Sequence, residues 1–310
     1  MYLKLENIQK KYDEKVAVDK LSLDIPQGEI FGIIGPNGAG KTTTIRMIMN
    51  ITVPDEGRII FKGEPVGDDF KDQVGYLPEE RGLYKKLTCR EVVKYMAALK
   101  GYTPADIDKK IEAWLQKVEL FDYIDKKVEE LSKGMQQKLQ FVTTIIHEPE
   151  IVILDEIFSG LDPLNIELIK NILLDLKRQG KTILFSTHVM EQAEKLCDYI
   201  CMFNRGKKVL DGRLTEIKSK HGQNRIQLDI DGDGYFISSL PGVSSMREFN
   251  NYIEIEIKQG TDTNQLLRSI LEKVQVRKFD MVEPSLYDIF IQTANIDPDE
   301  YYADKEADHV

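Results

Sequence analysis

One segment restricts the fold of this chain more than any other, because residues 35–43 match the template G-x-x-x-x-G-K-[ST]. The apolar run Ile30 to Ile34 precedes it and the amphipathic stretch Thr44 to Met49 follows it. A strand, a glycine-rich turn and a helix start in this order direct backbone N–H groups at one point, where the helix dipole also favours an anion. We therefore predict a loop that binds the phosphates of a nucleoside triphosphate. It consists of Gly35, Pro36, Asn37, Gly38, Ala39, Gly40, Lys41, Thr42 and Thr43.

Two side chains of this loop have separate predicted roles. Lys41 is expected to reach the β- and γ-phosphates, and the hydroxyl of Thr42 is expected to ligate Mg²⁺. The alternative is a glycine-rich turn with an accidental lysine. The agreement of strand, loop and helix favours phosphate binding.

Apolar patterns on either side of the loop indicate an α/β fold. Alternation at residues 3–8 and 18–25 predicts antiparallel strands, which form an N-terminal β subdomain. Fully apolar runs at 151–154 and 182–185, joined by a helical pattern, predict a parallel sheet covered on both faces. A helical pattern at about 84–150 predicts an inserted α-helical subdomain. The predicted fold is thus that of a P-loop NTPase.

At 310 residues the chain is long enough for two domains. We assign residues 1–215 to the first domain and interpret the polar stretch 216–224 as a linker. Alternating and helical patterns beyond it predict a small C-terminal α+β domain, within 216–295. The acidic segment 296–310 is predicted to be a solvated, disordered tail.

Composition narrows the possible partners and the location. A net charge of −10 argues against a nucleic-acid surface, which is normally basic. No apolar run approaches the roughly 18 residues needed to span a bilayer, and the N-terminus lacks the pattern of a signal peptide. Three cysteines suit a reducing compartment. We expect a cytoplasmic protein without nucleic-acid partners, whose role at a membrane would require a second protein.

Two adjacent acids, Asp155 and Glu156, follow the apolar run 151–154. In a parallel sheet, they would lie at the same edge as the phosphate-binding loop. Asp155 is predicted to hold the Mg²⁺ shell, and Glu156 is predicted to polarise the water that attacks the γ-phosphate.

Three further segments carry a family resemblance. Residues 131–138 read LSKGMQQK, residues 159–163 read SGLDP, and residues 186–188 read STH. In order and spacing they resemble the signature sequence, the D-loop and the switch histidine of the ATP-binding cassette (ABC) family. The resemblance covers residues 1 to about 215.

This resemblance implies roles for residues outside the loop and the acidic pair. Tyr12 would stack on adenine, although an ordinary aromatic at a strand end is the alternative. His188 would contact the γ-phosphate and orient Glu156. The remaining nucleotide-contacting residues are Ser132, Gly134 and Asp162. Ser132 precedes a helical run and can cap it, so that the free N–H groups of that helix face an anion.

The functional unit implied by the family is a head-to-tail dimer that holds two ATP molecules between phosphate-binding loop and signature. It would be a homodimer or a pair with another ABC subunit. At position 79 this chain has Glu79 where the family usually has glutamine, and we predict that its carboxylate ligates Mg²⁺ and takes part in catalysis. The alternative is that Glu79 faces solvent and that Glu80 or Arg81 matters more. Lys133, Met135 and Ile157 also depart from the common family residues.

Within the family, the segment 75–84, GYLPEERGLY, and the signature resemble the ATPase subunits of bacterial exporters of the sodium-extrusion or drug-export type. Those subunits carry a small C-terminal domain. The resemblance implies an ATPase that attaches to the inner face of the cell membrane through an integral membrane permease. The alternatives are a soluble ABC-type ATPase without a transport role and a module that senses ATP with little hydrolysis.

Overall fold

The structure is a computed structural model that describes residues 2–67, 69–80, 82–221, 225–258 and 260–294. The chain forms two compact units, and the boundary between them in the sequence falls between Arg213 and Leu214. The predicted tail, 296–310, lies outside the described residues. Each unit is described by itself.

The first unit combines two sheets with helices. Its strands are β1 (Leu3–Tyr12), β2 (Lys15–Ile25), β3 (Ile30–Ile34), β4 (Glu56–Phe61), β5 (Glu64–Pro65), β6 (Val74–Leu77), β7 (Ile151–Asp155), β8 (Thr182–Thr187), β9 (Tyr199–Asn204) and β10 (Lys207–Arg213). Its α-helices are α1 (Lys41–Ile48), α2 (Phe70–Gln73), α3 (Cys89–Leu99), α4 (Ile107–Lys117), α5 (Lys133–Ile145), α6 (Pro163–Arg178) and α7 (Met190–Leu196).

The central sheet has the strand order β10-β9-β3-β8-β7-β6, and it is parallel except for the antiparallel pairing of β10 with β9. Every residue of β3, β7 and β8 is buried. Burial on both faces explains why the middle of each strand is apolar and does not alternate, with polar residues of β7 and β8 only at the strand ends. Because β3, β8 and β7 are consecutive parallel strands, the carboxyl ends of β7 and β8 lie at the edge from which the phosphate-binding loop leaves β3.

The second sheet, β2-β1-β4-β5, is antiparallel. Its apolar side chains, among them Leu5 and Leu23, share one core with α1 and with one face of the central sheet. This packing fixes α1 and the loop before it between the two sheets.

The helices α3, α4 and α5 are inserted between β6 and β7, which are paired neighbours in the central sheet. This arrangement confirms the predicted fold class, a parallel P-loop core with an N-terminal antiparallel subdomain and a helical insertion.

The second unit is α+β, as predicted. Its elements are α8 (Leu214–Lys220), β11 (Arg225–Asp231), β12 (Val243–Phe249), β13 (Tyr252–Ile257), α9 (Thr263–Leu271), β14 (Gln275–Val282) and α10 (Leu286–Ala294). The sheet order is β12-β13-β11-β14 and a 3₁₀ turn joins β11 to β12, which together make a split βαβ arrangement.

The prediction of a linker at 216–224 is wrong for its described part. Residues up to Lys220 belong to the helix α8, which buries Leu214 and Ile217. Two apolar residues three positions apart are enough to hold one face of a short helix, but they are too few to stand out in a polar stretch. Among the helices of the described residues, none combines the length and the apolar character that crossing a membrane requires.

Candidate active site

The phosphate-binding loop connects the buried strand β3 to α1. Gly40, directly before α1, has φ of 108°, and a Cβ at this position would lie 2.4 Å from the carbonyl oxygen of Ala17. Gly38 has φ of 71°, also in the left-handed region that favours glycine. Because Gly40 offers no side-chain oxygen, it leaves the amides of the first turn of α1 for an anion.

Lys41, the first residue of α1, is buried with 6% of its surface exposed. Its Nζ donates to the carbonyl oxygens of Gly35 at 2.8 Å and Pro36 at 3.1 Å. The same atom lies 3.3 Å from Oε1 of Glu156. The cation therefore lies between the loop and the acidic end of β7.

Asp155 ends β7 and is 1% exposed. Its Oδ1 accepts hydrogen bonds from Ser186 Oγ at 2.5 Å and from Thr42 Oγ1 at 3.3 Å. Oδ2 is buried and has no hydrogen-bond partner within the described part of the chain. Burial raises the pKa of Asp155 above its ordinary value, and the bonds from Ser186 and Thr42 offset part of this effect.

Glu156 follows in the left-handed region, with φ of 50°. Its amide donates to Ser186 Oγ at 3.0 Å, and its Oε2 lies 3.0 Å from His188 Nδ1. Burial alone would raise the pKa of Glu156, but the hydrogen bond from His188 and the charge of Lys41 outweigh it, and the pKa falls below its ordinary value. The structure thus holds Glu156 as an ionised carboxylate.

Five predicted site residues therefore form two bonded sets, in which Glu156 contacts Lys41 and His188, and Thr42 donates to the adjacent Asp155. The others have local contacts in this chain. Ser132 caps α5 by accepting from the amide of Met135 at 3.3 Å, and Gly134 lies in the first turn of that helix.

Three predicted site residues lie at or just beyond the ends of other elements: Asp162, Tyr12 and Glu79. Asp162 caps α6 through the amide of Asn165 at 3.0 Å. Tyr12 ends β1 and is 46% exposed. Glu79 is exposed and follows β6, whose last residue pairs with Leu154 of β7.

Ser186 has no role in the prediction from the sequence, although it is the first residue of the segment STH. Its hydroxyl donates to the carboxylate of Asp155 and accepts from the backbone amide of Glu156, so it holds the Asp155 carboxylate against the backbone of Glu156. Its position at the end of β8, directly before Thr187 and His188, is the signal that could have identified it.

Three features define the class of P-loop ATPases. They are a glycine-rich loop before α1, a lysine at the start of that helix, and two adjacent acidic residues at the carboxyl end of β7. Comparisons with known proteins identify the family. Residues 18–159 match the family profile described as ABC transporter, and residues 212–294 match that of the C-terminal domain of DrrA1-3-like ATP-binding proteins.

Relatives and solved structures agree with this assignment. The uncharacterized ABC transporter ATP-binding protein YhaQ of Bacillus subtilis (strain 168) is 43% identical over 290 residues, 94% of this chain and 97% of that protein. Nod factor export ATP-binding protein I of Sinorhizobium fredii is 39% identical over 214 residues, 68% of this chain and 62% of that protein.

Among solved structures, an ATP-binding subunit of an ABC transporter superposes with a TM-score of 0.67 at 30% identity, covering 71% of this chain and 93% of its own. A dimeric ATP-binding cassette in a post-hydrolysis state, bound to ADP and Pi, gives 0.63 at 26% identity and covers 68% and 98%. The chain belongs to the ABC transporter ATP-binding proteins; it binds and hydrolyses ATP as a transporter subunit. The family and the ATPase activity predicted from the sequence are confirmed.

Proposed function

We propose that this protein energises an exporter by ATP-driven head-to-tail dimerisation, attached to the inner face of the membrane through a separate integral membrane permease. The export direction is supported by the names of relatives such as the Sinorhizobium fredii protein. In the proposed dimer, two ATP molecules lie between the loop of one subunit and the amino end of α5, with Ser132 and Gly134, in the other. Tyr12 stacks on the adenine, and Asp162 lies at the same interface.

The residues around Asp155 fit a magnesium ion. The orphaned Oδ2 of Asp155 and the hydroxyl of Thr42 are hard oxygen donors, which Mg²⁺ prefers. Together with the carboxylate of Glu79 they would hold the ion. When bound, Mg²⁺ neutralises charge on the β- and γ-phosphate oxygens.

Different residues of the chain bind the phosphates and act on the attacking water. Lys41 and the loop amides bind the β- and γ-phosphates. Glu156 polarises the attacking water, while His188 orients the carboxylate from one side and contacts the γ-phosphate. Hydrolysis removes the γ-phosphate that both subunits bind, so the dimer reopens.

The observation that carries this proposal is the double hold on Glu156, by His188 Nδ1 at 3.0 Å and Lys41 Nζ at 3.3 Å. It keeps an ionised carboxylate at the loop. We expect Glu156→Gln to lower ATP turnover about a hundredfold or more, because an amide does not accept the proton of water. Nucleotide binding persists, since Lys41 and Asp155 are unchanged.

The experiment measures steady-state ATPase rate and, by analytical ultracentrifugation with ATP and Mg²⁺, the fraction of dimer. Glu64→Gln, at an exposed glutamate on β5, is the matched control and should behave as the parent. A Glu156→Gln protein that turns over at the parent rate, or that stays monomeric with ATP, contradicts the proposal.

A further inference from the structure

Gln137 is a buried polar side chain that joins two functional segments. It lies on α5, five residues after Ser132, and is 2% exposed. Its Nε2 donates to the carbonyl oxygens of Ile157 and Ser159, the latter at 3.4 Å. Both carbonyls belong to the segment that directly follows Glu156.

The segment that Gln137 contacts is packed tightly. Ile157 is fully buried, and Phe158 packs edge-on against Phe185 of β8 with ring centroids 5.8 Å apart. The amide of Ser159 donates to the carbonyl oxygen of Glu156 at 3.1 Å. A displacement of this segment would therefore change the backbone of Glu156, which is itself held in the left-handed region.

The other end of the connection is the signature. Ser132 caps α5, and Gln136, beside Gln137, donates from Nε2 to the carbonyl oxygens of Val128 at 3.2 Å and Leu131 at 3.0 Å. Adjacent glutamines of one helix thus bind the backbone at and just before the start of the signature, through Gln136, and the backbone that follows Glu156, through Gln137.

We propose that Gln137 is a positioning residue for hydrolysis, which holds Glu156 in register with the signature helix of the same subunit. The inference rests on the proposed function, in which the amino end of α5 faces the partner's ATP. Through Gln137, closure onto that ATP sets the backbone from which Glu156 projects. In this role Gln137 acts through the backbone that follows Glu156 and not through the nucleotide.

Loss of the amide should affect the chemical step more than binding. Without Nε2 the carbonyls of Ile157 and Ser159 lose a buried donor, and the segment relaxes to find other partners. A carboxylate displaced by a fraction of an ångström polarises water less well, whereas Lys41 and the loop amides still bind ATP. A purely structural role would instead lower stability without separating kcat from KM.

The test uses two variants of the full chain. Gln137→Met keeps the length of the side chain without donors, and Gln137→Glu keeps its shape while replacing the donor by oxygen. We expect kcat to fall about tenfold or more in both, and KM for ATP to stay within about threefold, as a positional error would produce. Thermal unfolding identifies the variants that fold, and either one suffices for the measurement.

Gln140→Met is the matched control, since Gln140 is also buried and lies one turn further along α5. It should keep the parent kcat even where its Tm falls as far as that of Gln137→Met. A parent-like kcat in a folded Gln137 variant, or an equal loss of kcat in Gln140→Met, overturns the inference.

Failure of this inference is distinguishable from failure of the proposed function. ATP-dependent dimerisation of Glu156→Gln tests the proposed function, and kcat of the Gln137 variants tests the positioning role. A dimer of Glu156→Gln together with parent-like kcat in Gln137→Met would overturn the inference alone.

Discussion

Asp155 and Glu156 are consecutive residues, yet their pKa values shift in opposite directions. Burial dominates at Asp155 and raises its pKa, whereas the hydrogen bond from His188 and the charge of Lys41 outweigh burial at Glu156 and lower its pKa. Neighbouring carboxylates whose environments separate their pKa values commonly divide two tasks between them. A divalent cation beside Asp155 would reverse the effect of burial there, and Glu156 is already ionised without one.

Glu79 is the residue at which this chain departs most from its family's common pattern. We predict that Glu79→Gln retains basal ATPase activity, because the amide keeps an oxygen donor and removes one charge beside the triphosphate. Glu79→Ala removes the donor, and its turnover should fall about tenfold, in the range usual for losing a group around a metal site. ATP affinity should persist, since Lys41 and the loop amides remain.

Mg²⁺-dependent ATPase assays and calorimetry with ATP check this prediction. Glu80→Ala is the matched control, because Glu80 is the adjacent acid and is also exposed. Arg81→Ala completes the series of three alanine variants at positions 79 to 81, and Arg81 lies outside the described residues. Parent-like turnover in Glu79→Ala would remove Glu79 from the site.

At the scale of elements, two helices of the inserted subdomain have side-chain caps at their amino ends. Substitutions at these caps distinguish an effect on stability from an effect on activity. Thr88 caps α3 with a reciprocal pair, in which Thr88 Oγ1 accepts from the amide of Glu91 at 3.2 Å and the amide of Thr88 donates to Glu91 Oε2 at 2.8 Å. Ser132 caps α5. We predict that Thr88→Ala and Ser132→Ala each lower the free energy of unfolding by about 1 kcal/mol, the usual effect of losing a cap.

Only Ser132→Ala should also lower ATP turnover, because only α5 is proposed to face an ATP. Urea unfolding followed through the fluorescence of Trp114 measures the stability, since it is the chain's single tryptophan and lies on α4 of the same subdomain. Steady-state ATPase assays measure the second property. Equal loss of turnover in Thr88→Ala would mean that the cap of α5 has no role apart from stability.

Contiguous elements of the site could be predicted from the sequence, whereas long-range contacts could not. The loop at 35–43 and the acidic end of β7 each follow an apolar strand, so pattern and chemistry coincide within a few residues. The bonds from Ser186 to Asp155 and from Gln137 to Ile157 join residues 31 and 20 positions apart. Such pairs depend on how strands and helices pack, and no local pattern encodes them.

In the second unit, alternation at residues 225–230 and 252–257 predicts two strands, and the position of a strand within the sheet explains which of the others were missed. In the second unit, the strands β11 and β13 alternate clearly and lie inside the sheet, and both were predicted. β12 and β14 are its edges and are largely exposed, so few of their residues need to be apolar. The helix α8 was missed for a similar reason, since its buried face consists of Leu214 and Ile217.

At the scale of the whole molecule, the residues of the candidate nucleotide site all lie in the first unit. The loop, the acidic pair, His188 and the caps of α5 and α6 all lie before Arg213. The solved structures compared above cover 71% and 68% of this chain but 93% and 98% of their own length, so each is shorter than this chain.

We predict that a chain truncated after Arg213 folds and binds ATP with the affinity of the full protein, within about threefold, because the loop and the residues bonded to it in the first unit remain. A chain truncated after Arg205 should instead unfold at a lower temperature and bind ATP more weakly. This truncation deletes β10, whose residues Lys207 to Arg213 pair along β9, and exposes the edge of the central sheet beside β3. Calorimetry with ATP and thermal unfolding distinguish the two truncated chains. A chain ending at Arg213 that fails to bind ATP, while the full protein binds it, would place part of the site's stability in the second unit.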